Sequence, residues 1–102
     1  MAARFTRIME GELPARFVWK DERYVGFLSI NPLRSGHVLV VPREEVDHWL
    51  DLDEGLMAHL MNVSRHIGRA IQKGLEPAKV GLLIAGPEVL HVHIRAYSPG
   101  AH

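Results

Sequence analysis

The chain has no cysteine among its 102 residues, which excludes disulfides, zinc thiolates and thiol nucleophiles. That usage suits a reducing compartment. Charge of either sign is also not in excess: 12 Lys and Arg offset 12 Asp and Glu. With no global field to recruit nucleic acid or an anionic membrane, any phosphate site must be built locally. No apolar run approaches the ~18 residues of a membrane span, and Met1 to Glu10 carries no apolar signal core. Internal repeats, low-complexity tracts and linkers are missing as well. These absences lead to the expectation of one soluble cytoplasmic domain over 1–102, with no nucleic-acid or membrane partner. Hydrophobic residues at 47% and charged residues at 24% are enough for a single modest core.

Phe5 to Glu10 reads as a short helix stopped by Gly11 and Pro14. Strands are expected over 16–20 and 24–28, around a turn at Asp21 and Glu22. Asn31-Pro32 and Ser35-Gly36 mark a loop over 29–36. The run His37 to Val41, closed by Pro42, reads as a central strand covered on both faces. The clearest helix spans Asp51 to Gly74, where Leu56, Leu60, Val63, Ile67 and Ile71 form one buried stripe. Asp51 with Glu54 is its expected N-terminal cap and Gly74 its C-terminal one. Met57 and Met61 read as core filler beside the stripe, and Trp49 as packing against the helix. His59 and His66 flank the stripe, while Arg65, Arg69 and Lys73 form a solvated face. Two more strands, over 80–85 and 90–97, surround a turn at Gly86-Pro87-Glu88. The sum is an α+β fold: a five-stranded, mostly antiparallel sheet with one long and one short helix.

The last strand carries the chemistry. Side chains alternate faces along a strand, so His91, His93, Arg95 and Tyr97 share one face, and Val92, Ile94 and Ala96 the other. Core packing explains the apolar face only. Three readings fit the polar one. The histidines are solvated residues on a sheet edge, or they share a metal ion, although zinc usually takes a third protein ligand and only His37 lies in reach. Alternatively, a neutral imidazole attacks phosphorus, with one ring nitrogen free, the other held, and donors on the phosphoryl oxygens.

His91-Val92-His93-Ile94-Arg95-Ala96-Tyr97 resembles the His-φ-His-φ-His-φ-φ signature of the histidine triad (HIT) family, φ being apolar, and in particular its Hint-like branch. Phe5 to Arg16, Phe27-Leu28-Ser29-Ile30-Asn31-Pro32 and Gly36-His37-Val38-Leu39-Val40-Val41-Pro42 resemble the family's other blocks, in order, across nearly all of 5–97. The resemblance implies a HIT-like fold, a homodimer with one extended sheet, no cofactor and no metal. It further implies a purine nucleotide-binding hydrolase or transferase acting at the α-phosphate of nucleoside phosphoramidates or dinucleoside polyphosphates. His93 would be the nucleophile, His91 its support, Arg95 a phosphoryl ligand and His37 part of the same polar cluster. Phe5, Ile8, Phe27, Ser29 and Ile30 would hold base and ribose. The chain departs from the pattern at Arg95, where the family has histidine, and at Ser29, where an Asp is frequent. Pro87 and Glu88 stand where Gln and Ser or Thr are usual, the usual Asn is not evident around 84–86, and five residues follow the last strand where many relatives carry a longer tail. These departures keep a non-catalytic nucleotide-binding module and a structural dimer as alternatives.

Overall fold

Alternating burial along short β-rich segments, and one amphipathic stripe, set the architecture. A computed structural model describes residues 16–28, 36–44, 46, 48–85 and 90–97. The strands are β1 (Phe17–Lys20), β2 (Tyr24–Leu28), β3 (His37–Pro42), β4 (Lys79–Ala85) and β5 (His91–Tyr97), with one long helix, α1 (Glu54–Leu75). They form a five-stranded sheet in the order β1-β2-β3-β5-β4, and every neighbouring pair is antiparallel. This is the α+β arrangement expected from the sequence, with β3 at the centre. The short helix expected over Phe5–Glu10 lies outside the described residues. The short helical element that is described is a 3-10 turn at Trp49–Asp51.

Helix α1 covers one face of the sheet. Its Leu56, Leu60, Val63, Ile67 and Ile71 pack with Tyr24, Val38, Val40, Val92 and Ile94 in the main core. A smaller cluster of Val25, Phe27 and Val41, flanked by Phe17 and Leu39, lies on the opposite face. Tyr24 is fully buried, and its hydroxyl donates to the Leu56 carbonyl at 2.7 Å, tying β2 to the first turns of α1. Burial pushes the Tyr24 phenol up to about 12, so it stays a donor across the physiological range. No helix among the described residues is long and apolar enough to cross a membrane.

Both helix caps differ from the expected ones. Asp53, not Asp51, caps the N-terminus: its Oδ1 accepts from the Leu56 N–H at 2.7 Å. Asp51 is taken up by the preceding turn, which His48 caps by accepting from the Leu50 N–H through Nδ1. At the other end Gly74 remains helical, and Glu76 caps instead, in the left-handed region at φ 48°. Pro77 explains this placement, because a proline disfavours the α conformation in the residue before it. Met61, expected as core filler, and Trp49, expected to pack against the helix, are about half exposed (48% and 47%). Arg65, Arg69 and Lys73 are solvated as expected.

The flanking histidines of α1 both reach the β1–β2 hairpin. His66 stacks on Trp19 with ring centroids 5.8 Å apart. His59 Nε2 lies 2.8 Å from Asp21 Oδ2, which also accepts from Trp19 Nε1 at 2.7 Å. Asp21 Oδ1 accepts from the N–H groups of Arg23 and Tyr24, closing the hairpin turn. Burial alone would raise the Asp21 pKa, but the bonds from Trp19, Tyr24, Arg23 and His59 outweigh it and hold this carboxyl well below the ordinary aspartate range.

Two substitutions measure the tie between sheet and helix. Leu60→Ala, at a site 1% exposed, is expected to cost about 3 kcal/mol through lost transfer energy and the cavity left behind. Tyr24→Phe removes one buried hydrogen bond and is expected to cost about 1 kcal/mol. Urea denaturation checks both, with a lower midpoint and an unchanged m-value as the predicted signature.

Candidate functional site

Strand β5 is not at an edge. β3 and β4 flank it on either side, so the reading of His91 and His93 as solvated edge residues is overturned. The chain is pinned at both ends of this strand. The Leu90 N–H donates to the Val46 carbonyl at 2.8 Å, and the Ala96 N–H to the Gly36 carbonyl at 3.2 Å. Gly36 has φ 72°, and a Cβ there would lie 2.6 Å from Leu75 Cδ1 and 3.0 Å from Ala96 Cβ. Only glycine fits this close approach and left-handed backbone, which leads directly into His37.

Val92 and Ile94 are buried beneath α1, while His91, His93 and Arg95 are half-buried on the opposite face. The β3–β5 register places His37 opposite Arg95 and Leu39 opposite His93. From that position the His37 ring reaches diagonally to His93, with Nε2 2.7 Å from His93 Nδ1 and ring centroids 5.0 Å apart. The His91 ring meets His93 from the other side, edge to face, at 4.8 Å. His93 is therefore held between two imidazoles, with Arg95 next along the strand. Burial lowers the His93 pKa below the ordinary histidine value, and the nearby charges of His91, His37 and Arg95 push it the same way. His93 is thus a neutral imidazole at neutral pH, with Nδ1 engaged by His37 and Nε2 outside that bond. The four polar residues singled out from the sequence form one cluster.

A second feature runs across the strands. The pairings Phe17↔Phe27, Phe27↔Leu39, Leu39↔His93 and Leu83↔His93 make one continuous row on the histidine face. Phe27, expected to hold the base, is therefore two strands from His93, about 10 Å at the usual spacing of sheet strands. It is 3% exposed and packs edge to face with Phe17, at 6.2 Å between centroids. Leu39 lies between Phe27 and His93 in this row. Sequence reasoning missed it, although its distance of two residues from His37 placed it on the same face. Phe5, Ile8, Ser29 and Ile30, together with Pro87 and Glu88, lie outside the described residues.

Two further residues belong to this face. Tyr97 lies beyond Arg95, whose guanidinium carbon is 5.5 Å from the Tyr97 ring centroid. Gly81 pairs with Arg95 from β4. Among the described residues, no group of three or more His, Cys, Asp or Glu is arranged to hold a metal ion. The arrangement suits anion chemistry: a guanidinium offers donors to phosphoryl oxygens, and a neutral imidazole offers either a lone pair or an N–H.

Comparison with known proteins places this geometry. The HIT domain profile matches residues 10–96. An uncharacterized HIT-like protein of Borreliella burgdorferi is 33% identical over 96 residues, covering 87% of this chain and 69% of that protein. The crystal structure of a hypothetical histidine triad nucleotide-binding protein from Sulfolobus tokodaii is 30% identical and superposes with a TM-score of 0.86, over 95% of this chain and 70% of the other. A Hit-like protein from Bartonella henselae, 23% identical, shares the fold with a TM-score of 0.85, over 95% of this chain and 81% of its own. With the profile spanning nearly the whole sheet, its helix and the histidine strand, the chain belongs to the HIT domain family.

Proposed function

We propose that the chain is a purine nucleotide-binding hydrolase or transferase of the Hint-like kind, acting at the α-phosphate through a nucleotidyl-histidine intermediate. The observation that carries this reading is the 2.7 Å bond between His37 Nε2 and His93 Nδ1. When Nδ1 of a neutral His93 donates its proton to His37, Nε2 holds a lone pair directed away from that bond, as nucleophilic attack on phosphorus requires. His91 supports the ring from the other side and Arg95 holds phosphoryl oxygen. Phe27 and Leu39 provide an apolar floor for the base, with Phe5, Ile8, Ser29 and Ile30 as its further contacts by position in the sequence. Substrates are nucleoside phosphoramidates or dinucleoside polyphosphates, no cofactor or metal takes part, and the working compartment is the cytoplasm. Nucleic acid and membranes are not partners. Two copies pair through β4, which among the described residues lies at the edge of the sheet with Leu82 and Leu83 exposed (43% and 59%), since an apolar edge invites a second strand.

The same contact carries a second reading in its other tautomer. If His37 donates instead, His93 Nε2 carries the proton and becomes a phosphate ligand rather than a nucleophile. Arg95, permanently protonated, would complete a binding module that holds a nucleotide without turning it over.

Hydrolysis of an adenosine phosphoramidate and of a diadenosine polyphosphate by wild type and His93→Ala separates the two. The expected result is slow turnover by wild type and a loss of at least 100-fold in the variant, with adenosine monophosphate still bound. Intact-mass spectrometry should capture wild type, but not the variant, carrying one adenylyl group. Binding without turnover in wild type supports the module, and a dimer that binds no nucleotide leaves a structural role.

The pH dependence has a fixed sign. Attack needs neutral His93, and its pKa is lowered. Activity is therefore expected to hold as pH falls through ~6.5, the ordinary histidine value, and to decline only in more acid solution. A kcat/KM profile with its acid limb at or above ~6.5 contradicts the assignment.

A further inference from the structure

Arg95 stands at one of the positions where the sequence departs from the signature it resembles, and its surroundings are built to hold it. Tyr97 pairs with Lys79 across β4–β5, so Gly81 is its diagonal neighbour. A Cβ on Gly81 would lie 2.5 Å from Tyr97 Cε2 and 3.3 Å from Cζ. The Tyr97 ring thus occupies the space a side chain at 81 would fill. Over this ring sits the Arg95 guanidinium, with 5.5 Å between its carbon and the ring centroid, inside the range of a cation–π contact. From the opposite strand, His37 faces the same arginine. Gly81, Tyr97 and Arg95 form a stack beside the nucleophile, and it presents a fixed positive charge.

That charge bears on the leaving group. An amine leaving a phosphoramidate, or an alkoxide leaving a diester, has to gain a proton as its bond to phosphorus breaks. A guanidinium does not give up its proton near neutral pH. A phosphate oxygen leaving a phosphoanhydride needs no proton, because it departs as an anion that a neighbouring cation stabilises.

We propose that Arg95, seated on Tyr97 above Gly81, is a specificity residue that selects nucleoside phosphoanhydrides over phosphoramidates. This rests on the nucleotidyl-histidine reading given above. In the first step the His93 Nε2 lone pair forms a bond to the α-phosphorus. The bond from that phosphorus to the bridging oxygen breaks, and its electron pair leaves with the departing phosphate, which Arg95 binds. Water then attacks the same phosphorus and the phosphorus–nitrogen bond breaks. The products are a nucleoside monophosphate, one proton released to solvent, and neutral His93. Tyr97 touches none of the reacting atoms. It is a positioning residue, acting through the guanidinium it carries.

The test compares kcat/KM for diadenosine triphosphate and for adenosine phosphoramidate in wild type, Arg95→His, Tyr97→Phe, Tyr97→Leu and His93→Ala. Wild type is expected to favour the anhydride by at least tenfold. Arg95→His, which restores a group able to give up a proton, should move the ratio at least tenfold toward the phosphoramidate. Tyr97→Leu should lower anhydride turnover several-fold while sparing the phosphoramidate, and Tyr97→Phe, which keeps the ring, should match wild type. A general loss of folding would lower both substrates together and leave their ratio unchanged. Turnover that requires His93 but shows one ratio in wild type and Arg95→His overturns the role of Arg95 alone. Turnover that survives His93→Ala overturns the nucleotidyl-histidine reading, and no turnover by wild type overturns both.

Discussion

The antiparallel register between β3 and β5 is the constraint on which the site depends. It sets His37 opposite Arg95 and Leu39 opposite His93, and the His37 ring can reach His93 only from that diagonal position. Side chains alternate with a period of two, so a slip of one residue would turn every histidine of β5 toward α1 and bring Val92 and Ile94 out to solvent. The main core forbids that slip, because Val38, Val40, Val92 and Ile94 pack under Leu60, Val63 and Ile67. Burial on one face thereby fixes the chemistry on the other. Gly36 serves the same end, since its left-handed backbone and missing Cβ let β3 begin directly against Ala96.

Within that frame, His93 is neutral for a physical reason. It loses solvent, and it gains two imidazole neighbours and a guanidinium, each of which disfavours a further positive charge. Arg95 adds to the pressure that keeps His93 neutral, and in the proposed function it supplies a donor for a bound anion. A histidine in its place could gain or lose its charge near neutral pH, whereas an arginine keeps its charge across the physiological range. The Tyr97 ring over Gly81 gives the long arginine side chain a surface to lie on, which limits its freedom to swing into solvent.

Much of this was legible in the sequence, though not evenly. The stripe from Leu56 to Ile71 and the alternation from His91 to Tyr97 are strong periodic signals, and both elements form where the pattern puts them. The caps of α1 were misplaced because Asp51 and Asp53 both precede the stripe at plausible spacing, and composition does not decide between them. Glu76 could not be read as the C-terminal cap because it adopts a backbone conformation usually left to glycine. Met61 reads as core filler on residue type alone, but its helical phase leaves it outside the stripe. The contact between His37 and His93 depends on strand register, which no local pattern contains, so the sequence offered His37 as a neighbour of the pair without the bond between the two rings. Leu39, Gly81 and Tyr97 were missed as site residues for the same reason: each matters through a cross-strand neighbour. Phe5, Ile8, Ser29 and Ile30 lie outside the described residues.

If His37 accepts the Nδ1 proton of His93, Nε2 of His93 is bare, and nitrogen NMR of the imidazoles reads this protonation site. Chemical shifts of ¹⁵N-labelled His93, followed through a pH titration and assigned with His93→Ala, report which ring nitrogen carries the proton. Neutral His93 is expected to be protonated on Nδ1, with Nε2 unprotonated, and to have a pKa below the ordinary histidine value. A neutral His93 protonated on Nε2 would contradict it, because that nitrogen could bind a phosphate but could not attack one.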